Sequence, residues 1–297
     1  MKGSVDKPGN ANLCYREAIF FVEMLDDELR KNFLAPGFSV ALIDTENLRY
    51  ILVMDRLNPV VEVGDLFKAL GEGTDLKTLG GEGCSAENLI LGVADAAAAL
   101  HARYWNDKEF FNRHAESLLH GEWLQGKSEE TFNKALKAAK SYIDPVRNPE
   151  HEIHKEYPEL AKYVIAALDN CSWERYRQTY AEGQDLCLLH GDLHAKQMMW
   201  KTDEQKVYCV DFEFMCIGPY ATDLGNFMNM MSAELSEAYE DLFLARYHEK
   251  LIASGKVDAA VYTLEKVKQD YIDFRLPRAI ILSTIMVSFA SQDPFAK

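Results

Sequence analysis

The sequence predicts an α+β protein in which a short mixed segment precedes a mostly helical remainder. Three observations carry that expectation. Residues 12–33 repeat their apolar side chains at helical spacing and two alternating β-rich runs follow at once. From Ser85 to Leu186 almost every segment reads as helix. That helical stretch is then broken by residues 187–213, CLLHGDLHAKQMMWKTDEQKVYCVDFE, where two acidic clusters each stand directly behind an apolar, strand-like run.

Taken in order, Asn12 to Phe33 places Leu13, Ala18, Phe20, Phe21, Met24 and Leu25 on one stripe, a first long helix. Phe38–Asp44 and Leu48–Asp55 follow as strands joined by the turn Thr45-Glu46-Asn47. A Gly-rich stretch, Gly71-Glu72-Gly73 to Gly80-Gly81-Glu82-Gly83, leads into helices at Ser85–Tyr104, Lys108–Leu119, Ser128–Tyr142, Pro149–Leu168 and Cys171–Glu182. In the acidic segment, the polar turn Thr202-Asp203-Glu204-Gln205 joins two strands and brings both clusters to one end of a hairpin. Helices near Tyr220–Met231, Ala233–Ser254, Asp258–Phe274 and Pro277–Phe289 complete the chain. The expected division is a small unit at 1–57, a hinge and connecting loop at 58–84, and a helical unit at 85–297 that carries the hairpin. No repeat or low-complexity tract appears.

Composition removes several function classes. With 297 residues the chain can bury a large core. A formal net charge of −15 and the lack of a basic stripe argue against nucleic acid as a partner. The acidity would suit a cationic substrate, but much of it lies on helical faces such as Ser236–Asp241, where solubility explains it. Six scattered cysteines without a Cys-x-x-Cys pair indicate neither a zinc knuckle nor a disulfide framework. The start lacks a signal-peptide apolar stretch, and the longest apolar run, near Ala279–Ala290, is too short to span a bilayer. A soluble, cytoplasmic protein without a membrane partner is expected.

The clusters His190-Gly191-Asp192-Leu193-His194 and Asp211-Phe212-Glu213 crowd carboxylates into one small volume. Like charges a few Å apart raise each other's pKa unless a cation neutralises them, so a divalent metal with a phosphorylated ligand is the natural reading. These residues resemble the phosphotransferase branch of the protein-kinase-like fold, which includes the aminoglycoside, choline/ethanolamine, methylthioribose and ecdysteroid-type kinases. There, His-Gly-Asp-x-x-x-x-Asn is the catalytic loop and a following Asp holds Mg²⁺. The resemblance implies Asp192 as catalytic aspartate with His190 bracing its loop, and Asp211 as metal ligand. Gln197 stands where the family usually has Asn, keeping the amide oxygen on a longer stem, and Glu213 shares the metal. Gly218-Pro219 and Asp223-Leu224-Gly225-Asn226 resemble the segment after the metal motif, with Asp223 expected to bond backbone at a helix start. Ala98-Ala99-Leu100-His101-Ala102-Arg103-Tyr104-Trp105 resembles the helix end ahead of the catalytic loop, with His101 a packed core residue.

The implied fold is bilobal and protein-kinase-like, with a short, truncated N-terminal lobe and a mostly helical C-terminal lobe. Kinases of this class begin with a Gly-rich β-ribbon over the nucleotide phosphates and a lysine strand. Here the first helix is already under way by about residue 13, so only the lysine survives as Lys2, with Glu17 as candidate ion-pair partner. Ile51–Asp55 resembles the hinge strand, which puts Met54 and Asp55 beside adenine; a buried edge strand is the other reading. The Gly-rich stretch at 71–83 is not the missing phosphate loop, because it follows the wrong strand order and carries acids that repel phosphate.

The implied activity is transfer of the γ-phosphoryl group of ATP, with Mg²⁺, to a hydroxyl of a small molecule such as an amino-alcohol, sugar, aminoglycoside or steroid-like acceptor. Two other classes stay open. A catalytically silent kinase-like binding protein would explain the missing phosphate loop and Gln197. A metal-dependent phosphoesterase would match Gly191-Asp192-Leu193-His194, yet no Gly-Asn-His element follows. Aromatic residues including Trp123, Trp173 and Tyr176 are candidates to line the acceptor pocket.

Overall fold

Strand alternation and one aromatic-rich helix build the front of the molecule in the computed structural model, which describes residues 2–3, 11–44, 49–114, 118, 129–156, 158–169, 171–174 and 185–275. The chain enters as strand β1 (Lys2–Gly3), helix α1 (Ala11–Ile19), β2 (Phe38–Asp44) and β3 (Arg49–Met54), in an antiparallel sheet of order β1-β3-β2. The two-residue period decides its faces. Tyr50 and Leu52 turn into the core beside α1, whereas Leu42 and Ile51, opposite each other in the register, stay exposed. The expected turn at 45–47 lies outside the described residues.

The helix expected from Asn12 to Phe33 stops early. Beyond Ile19 the turn widens over Phe20–Met24 and closes with Leu25 N–H donating to the Phe20 carbonyl at 2.8 Å. Asp26 then ends it, because its carboxylate accepts from Leu29 N–H at 2.8 Å and opens a separate 3₁₀ turn, Leu29–Lys31. Phe20, Phe21, Met24, Leu25, Leu29 and Phe33 are all buried in one core, so the apolar stripe runs on across the break.

The stretch 58–84, expected as connecting loop, holds strand β4 (Val60–Glu62) and helix α2 (Val63–Gly71). Val63, Leu66, Phe67 and Ala69 bury the inner face of α2. The glycines that follow hide this pattern in the sequence. They let the connection lie against the turn after Lys201: Thr202 Oγ1 donates to the Gly80 carbonyl at 2.6 Å, and at Gly83 (φ +71°) a Cβ would come within 2.3 Å of the Gln205 amide. The Gly-rich stretch is thus the link from α2 to the next helix.

That helix, α3 (Ala86–Arg103), starts on Ser85, whose Oγ accepts from Asn88 N–H at 3.1 Å. Then come α4 (Lys108–Arg113), α5 (Glu129–Ile143), α6 (Ile153–Glu156) and α7 (Pro158–Asp169). The helix expected at Lys108–Leu119 therefore ends at Arg113, and the one expected at Pro149–Leu168 is two. Pro158, which lacks an N–H, begins the second rather than continuing the first. Strands β5 (Leu186–Leu189), β6 (Met198–Lys201), β7 (Lys206–Cys209) and β8 (Cys216–Pro219) interrupt the helices before α8 (Ala221–Asn229) and α9 (Ala233–Ala253).

Long α9 packs on α3, clamped by Arg246, whose guanidinium takes both Asp95 oxygens at 2.6 and 3.0 Å. The last described helix starts at 264 rather than 258, because Asp258 closes turns onto 260–262 and Thr263 Oγ1 then accepts from Lys266 N–H. Most of the helix expected at Cys171–Glu182, all of that at Pro277–Phe289, and Trp123 and Tyr176 lie outside the described residues.

The hairpin of β6 and β7 pairs Met198 with Cys209 and Lys201 with Lys206, as the polar turn implies. It is not free-standing. β4 pairs antiparallel with β6, giving the order β4-β6-β7, while β5 pairs separately with β8. Among the described residues no helix is long and apolar enough to cross a membrane, and Cys84, Cys171, Cys187, Cys209 and Cys216 are free thiols.

Candidate functional site

Strand β5 is buried along Cys187–Leu189 and delivers His190, Gly191 and Asp192 at its end. The loop leaving it is held by α8. Asp223, 1 % exposed, accepts from His190 N–H at 2.7 Å and from Gly191 N–H at 3.0 Å. Three residues on, along the same helix face, Asn226 Nδ2 donates to the Leu193 carbonyl at 3.1 Å. The carboxylate of Asp223 is fixed in turn by His101, whose Nε2 lies 3.2 Å from Oδ2 and whose Nδ1 lies 2.9 Å from the Tyr247 hydroxyl. A carboxylate can only accept, so His101 donates to Asp223 from Nε2. His101 is fully buried and serves packing and hydrogen bonding.

The second cluster approaches from the hairpin. Val210 N–H donates to the Gln197 carbonyl at 3.0 Å, closing the open end of β6 and β7, and His190 Nε2 donates to the Val210 carbonyl at 3.0 Å. Asp211 then takes a left-handed conformation, φ 66° and ψ 69°, at a cost of about 1 kcal/mol, and turns the chain into the 3₁₀ segment Phe212–Phe214. Phe212 is fully buried and stacks on Phe20 at 4.0 Å, with Phe21 and Phe33 around it. Arg16 Nη1 reaches the Glu213 carbonyl at 3.5 Å. The first helix thus carries the acidic segment on its aromatic end.

One glycine locks the two clusters together. Gly191 has φ +80°, and a Cβ there would fall 1.9 Å from the Phe214 carbonyl oxygen. Only the bare α-carbon lets the Asp192 loop lie against the Asp211 segment. Gly191→Ala is expected to lower folding stability by about 2–4 kcal/mol through clash and backbone strain, seen as a reduced melting temperature. A variant that melts like wild type would refute this close approach.

The electrostatics follow from burial and from charge neighbours. His190 is fully buried, and that burial holds its pKa below the usual histidine value even though Asp223, Asp192 and Asp211 all pull it upward. With Nε2–H given to Val210 and no partner for Nδ1 among the described residues, the ring is a neutral brace between the two aspartate-bearing loops. Asp192 is 23 % exposed in its side chain. Burial acts upward on its carboxyl, but the hydrogen bonds from His194 and from the Gln197 amide hold it below the ordinary carboxylate range. It is therefore ionised at neutral pH.

Asp192, Gln197, His190, Asp211 and Glu213 thus gather at one end of the hairpin, with Asp192, Gln197, Asp211 and Glu213 all partly exposed. The other candidates lie on the small sheet and α1. Lys2 is in β1, opposite Leu52 of β3, and its side chain is outside what is described. Glu17 is buried on α1, 2 % exposed. Met54 ends β3 half-buried, and Asp55 N–H donates to the Gly37 carbonyl at 2.7 Å. Sequence reasoning placed Asp223 at a helix start on backbone partners but missed that those partners are His190 and Gly191. It also missed His194, which touches Asp192, although its place two residues after the aspartate was a signal for proximity. A cavity of about 290 Å³ bounded by Leu29, Ala98, Ala102, Arg103 and Lys250 includes none of these site residues.

Among the described residues no three His, Cys, Asp or Glu side chains form a ready-made metal cage. Mg²⁺ does not need one, since it binds through one or two carboxylates, water and substrate phosphates. Asp211, Glu213 and the Gln197 amide oxygen are the hard oxygen donors that such an ion takes, and they fit it.

Residues 86–259 match the model of the phosphotransferase enzyme family. Among solved structures, an ethanolamine kinase from Plasmodium vivax is 12 % identical, with 98 % of this chain and 69 % of that chain covered and a TM-score of 0.53. A choline kinase from Cryptosporidium parvum Iowa II is 12 % identical, covering 95 % and 73 %, with a TM-score of 0.52. The GDP complex of an aminoglycoside 2'-phosphotransferase is 12 % identical, covering 98 % and 84 %, at 0.50. These likenesses establish the bilobal, protein-kinase-like fold. No curated protein matches the sequence.

Proposed function

Since this chain belongs to the phosphotransferase enzyme family, we propose that it transfers the γ-phosphoryl group of ATP to a hydroxyl of a small molecule. One observation carries the reading: the Gly191 contact with the Phe214 carbonyl joins a loop bearing an ionised, partly exposed aspartate to a segment of hard oxygen donors. A nucleotide as donor is supported by the GDP bound in the aminoglycoside 2'-phosphotransferase complex.

Asp192 accepts a hydrogen bond from the acceptor hydroxyl. As the new O–P bond forms and the bond to the ADP oxygen breaks, the hydroxyl O–H bond breaks and its proton passes to Asp192. Such a transfer needs little covalent help, so positioning and charge neutralisation carry the rate. Mg²⁺, when bound, neutralises phosphate charge, and Asp211, Glu213 and the Gln197 oxygen would hold it. His190 keeps the two loops in register. Glu17 on buried α1 is the proposed partner of Lys2 at the phosphates. Because Asp55 N–H is engaged by Gly37, the backbone beyond Met54–Asp55 is what meets adenine. The acceptor is an alcohol of the amino-alcohol, sugar, aminoglycoside or steroid-like kind.

Thermal melting with millimolar Mg-ATP tests the nucleotide half. A stabilisation of about 2–3 kcal/mol is expected if nucleotide stands near 100 times its Kd, and Asp211→Ala should abolish it. Retention of the full shift in Asp211→Ala would remove that residue from the metal site, and no shift in wild type would count against the kinase reading.

A further inference from the structure

We infer that His194 is a positioning residue for phosphoryl transfer: its Nε2–H holds Oδ2 of Asp192 and leaves Oδ1 to meet the acceptor hydroxyl. This rests on the proposed role of Asp192 as proton acceptor. His194 precedes the 3₁₀ turn Ala195–Gln197, and its Nδ1 accepts from Lys196 N–H at 3.2 Å. An imidazole nitrogen that accepts carries no proton, so the neutral ring is protonated on Nε2. Nε2 lies 3.3 Å from Asp192 Oδ2.

Gln197 adds a second, longer contact to the same oxygen, its Nε2 standing 3.5 Å from Oδ2. Both donors fall on one atom. None of the described residues donates to Oδ1. The terminal torsion of an aspartate is broad and roughly two-fold, so a lone carboxylate would swing between orientations. Two donors on Oδ2 choose one of them. The ring is held at both nitrogens, and the turn that fixes it also carries Gln197 into β6, with Gln197 N–H on the His194 carbonyl at 2.9 Å. A single turn therefore sets the angle of the base and delivers a proposed metal-side amide. Asn226 on the Leu193 carbonyl anchors the backbone just before it.

Substitution can separate the capping nitrogen from the one facing Asp192. His194→Asn keeps an acceptor near the Nδ1 position for Lys196 N–H but cannot reach Asp192, whereas His194→Gln extends a donor toward it. The expected result is a melting temperature close to wild type for His194→Asn and a kcat reduced about 10- to 100-fold, with KM for Mg-ATP unchanged within about twofold and partial recovery in His194→Gln. Turnover is followed with choline, ethanolamine and streptomycin as acceptors and as phosphate release from Mg-ATP alone. His194→Asn with wild-type kcat would overturn the inference and leave His194 as a cap.

A second readout does not depend on activity. Long-range ¹H–¹⁵N spectra of the histidine rings, with His194 assigned from its loss in His194→Asn, should show a proton on Nε2 whose resonance moves in Asp192→Ala. A proton on Nδ1, or a resonance indifferent to Asp192→Ala, would overturn the pairing even in an active enzyme. If wild type moves no phosphate to any acceptor or to water while the spectrum shows the pairing, the phosphotransferase reading has failed and the Asp192–His194 contact stands.

Discussion

Asp192→Asn should retain nucleotide binding and lose turnover by about 10²- to 10⁴-fold, the range that a positioned general base contributes. The substitution keeps the shape of the side chain and one oxygen for His194 and Gln197, so the loop has no steric reason to move. What it removes is the ionised oxygen that we propose takes the hydroxyl proton. Asp192 sits below the ordinary carboxylate range because of the hydrogen bond from His194, so at neutral pH the wild-type group is ready to accept. An amide cannot. Comparing kcat in the two proteins, alongside the Mg-ATP melting shift, separates chemistry from binding. A variant that keeps turnover within about tenfold would show that proton removal is not assigned to this residue.

Asp223→Ala should be the most destabilising of the single substitutions considered. The side chain is 1 % exposed and accepts from two backbone N–H groups and from the buried ring of His101. Truncation strands three donors in a site that water does not reach and opens a void beneath the His190–Asp192 loop. Breaking such a buried network costs about 3–5 kcal/mol, or a fall in melting temperature on the order of 10 °C for a chain of this size. Activity should fall with it, since the backbone of His190 and Gly191 loses its anchor. If Asp223→Ala melts within about 2 °C of wild type, the three hydrogen bonds do not carry the weight assigned to them.

Much of this arrangement was legible from the chain because it is local. The strands Phe38–Asp44 and Arg49–Met54 agree with the expectation to within about one residue, since alternation and a polar turn fix them. The polar turn after Lys201 marked the hairpin, and the two acidic clusters marked the candidate site. What escaped was set by partners distant in sequence or by one side chain competing with the backbone. Asp26 ends the first helix without disturbing its apolar stripe. The glycines after Gly71 concealed α2, and the pairing of β4 with β6 joins residues more than a hundred positions apart. Asp223 was recognisable as a helix-start aspartate, but its acceptance from the His190 and Gly191 amides depends on how α8 packs against β5. The His194 contact needs the 3₁₀ turn that brings its ring back over Asp192.

The pairing of β4 with β6 also bears on autonomy. A two-stranded ribbon is marginal in water, and the ribbon that carries Gln197 and precedes Asp211 gains its third strand from Val60–Glu62, upstream of the first long helix. A truncation beginning at residue 85 would keep every proposed catalytic and metal-binding residue yet strip the edge from the sheet that aligns them. The helical region would then lack the strand from outside it that braces the proposed site.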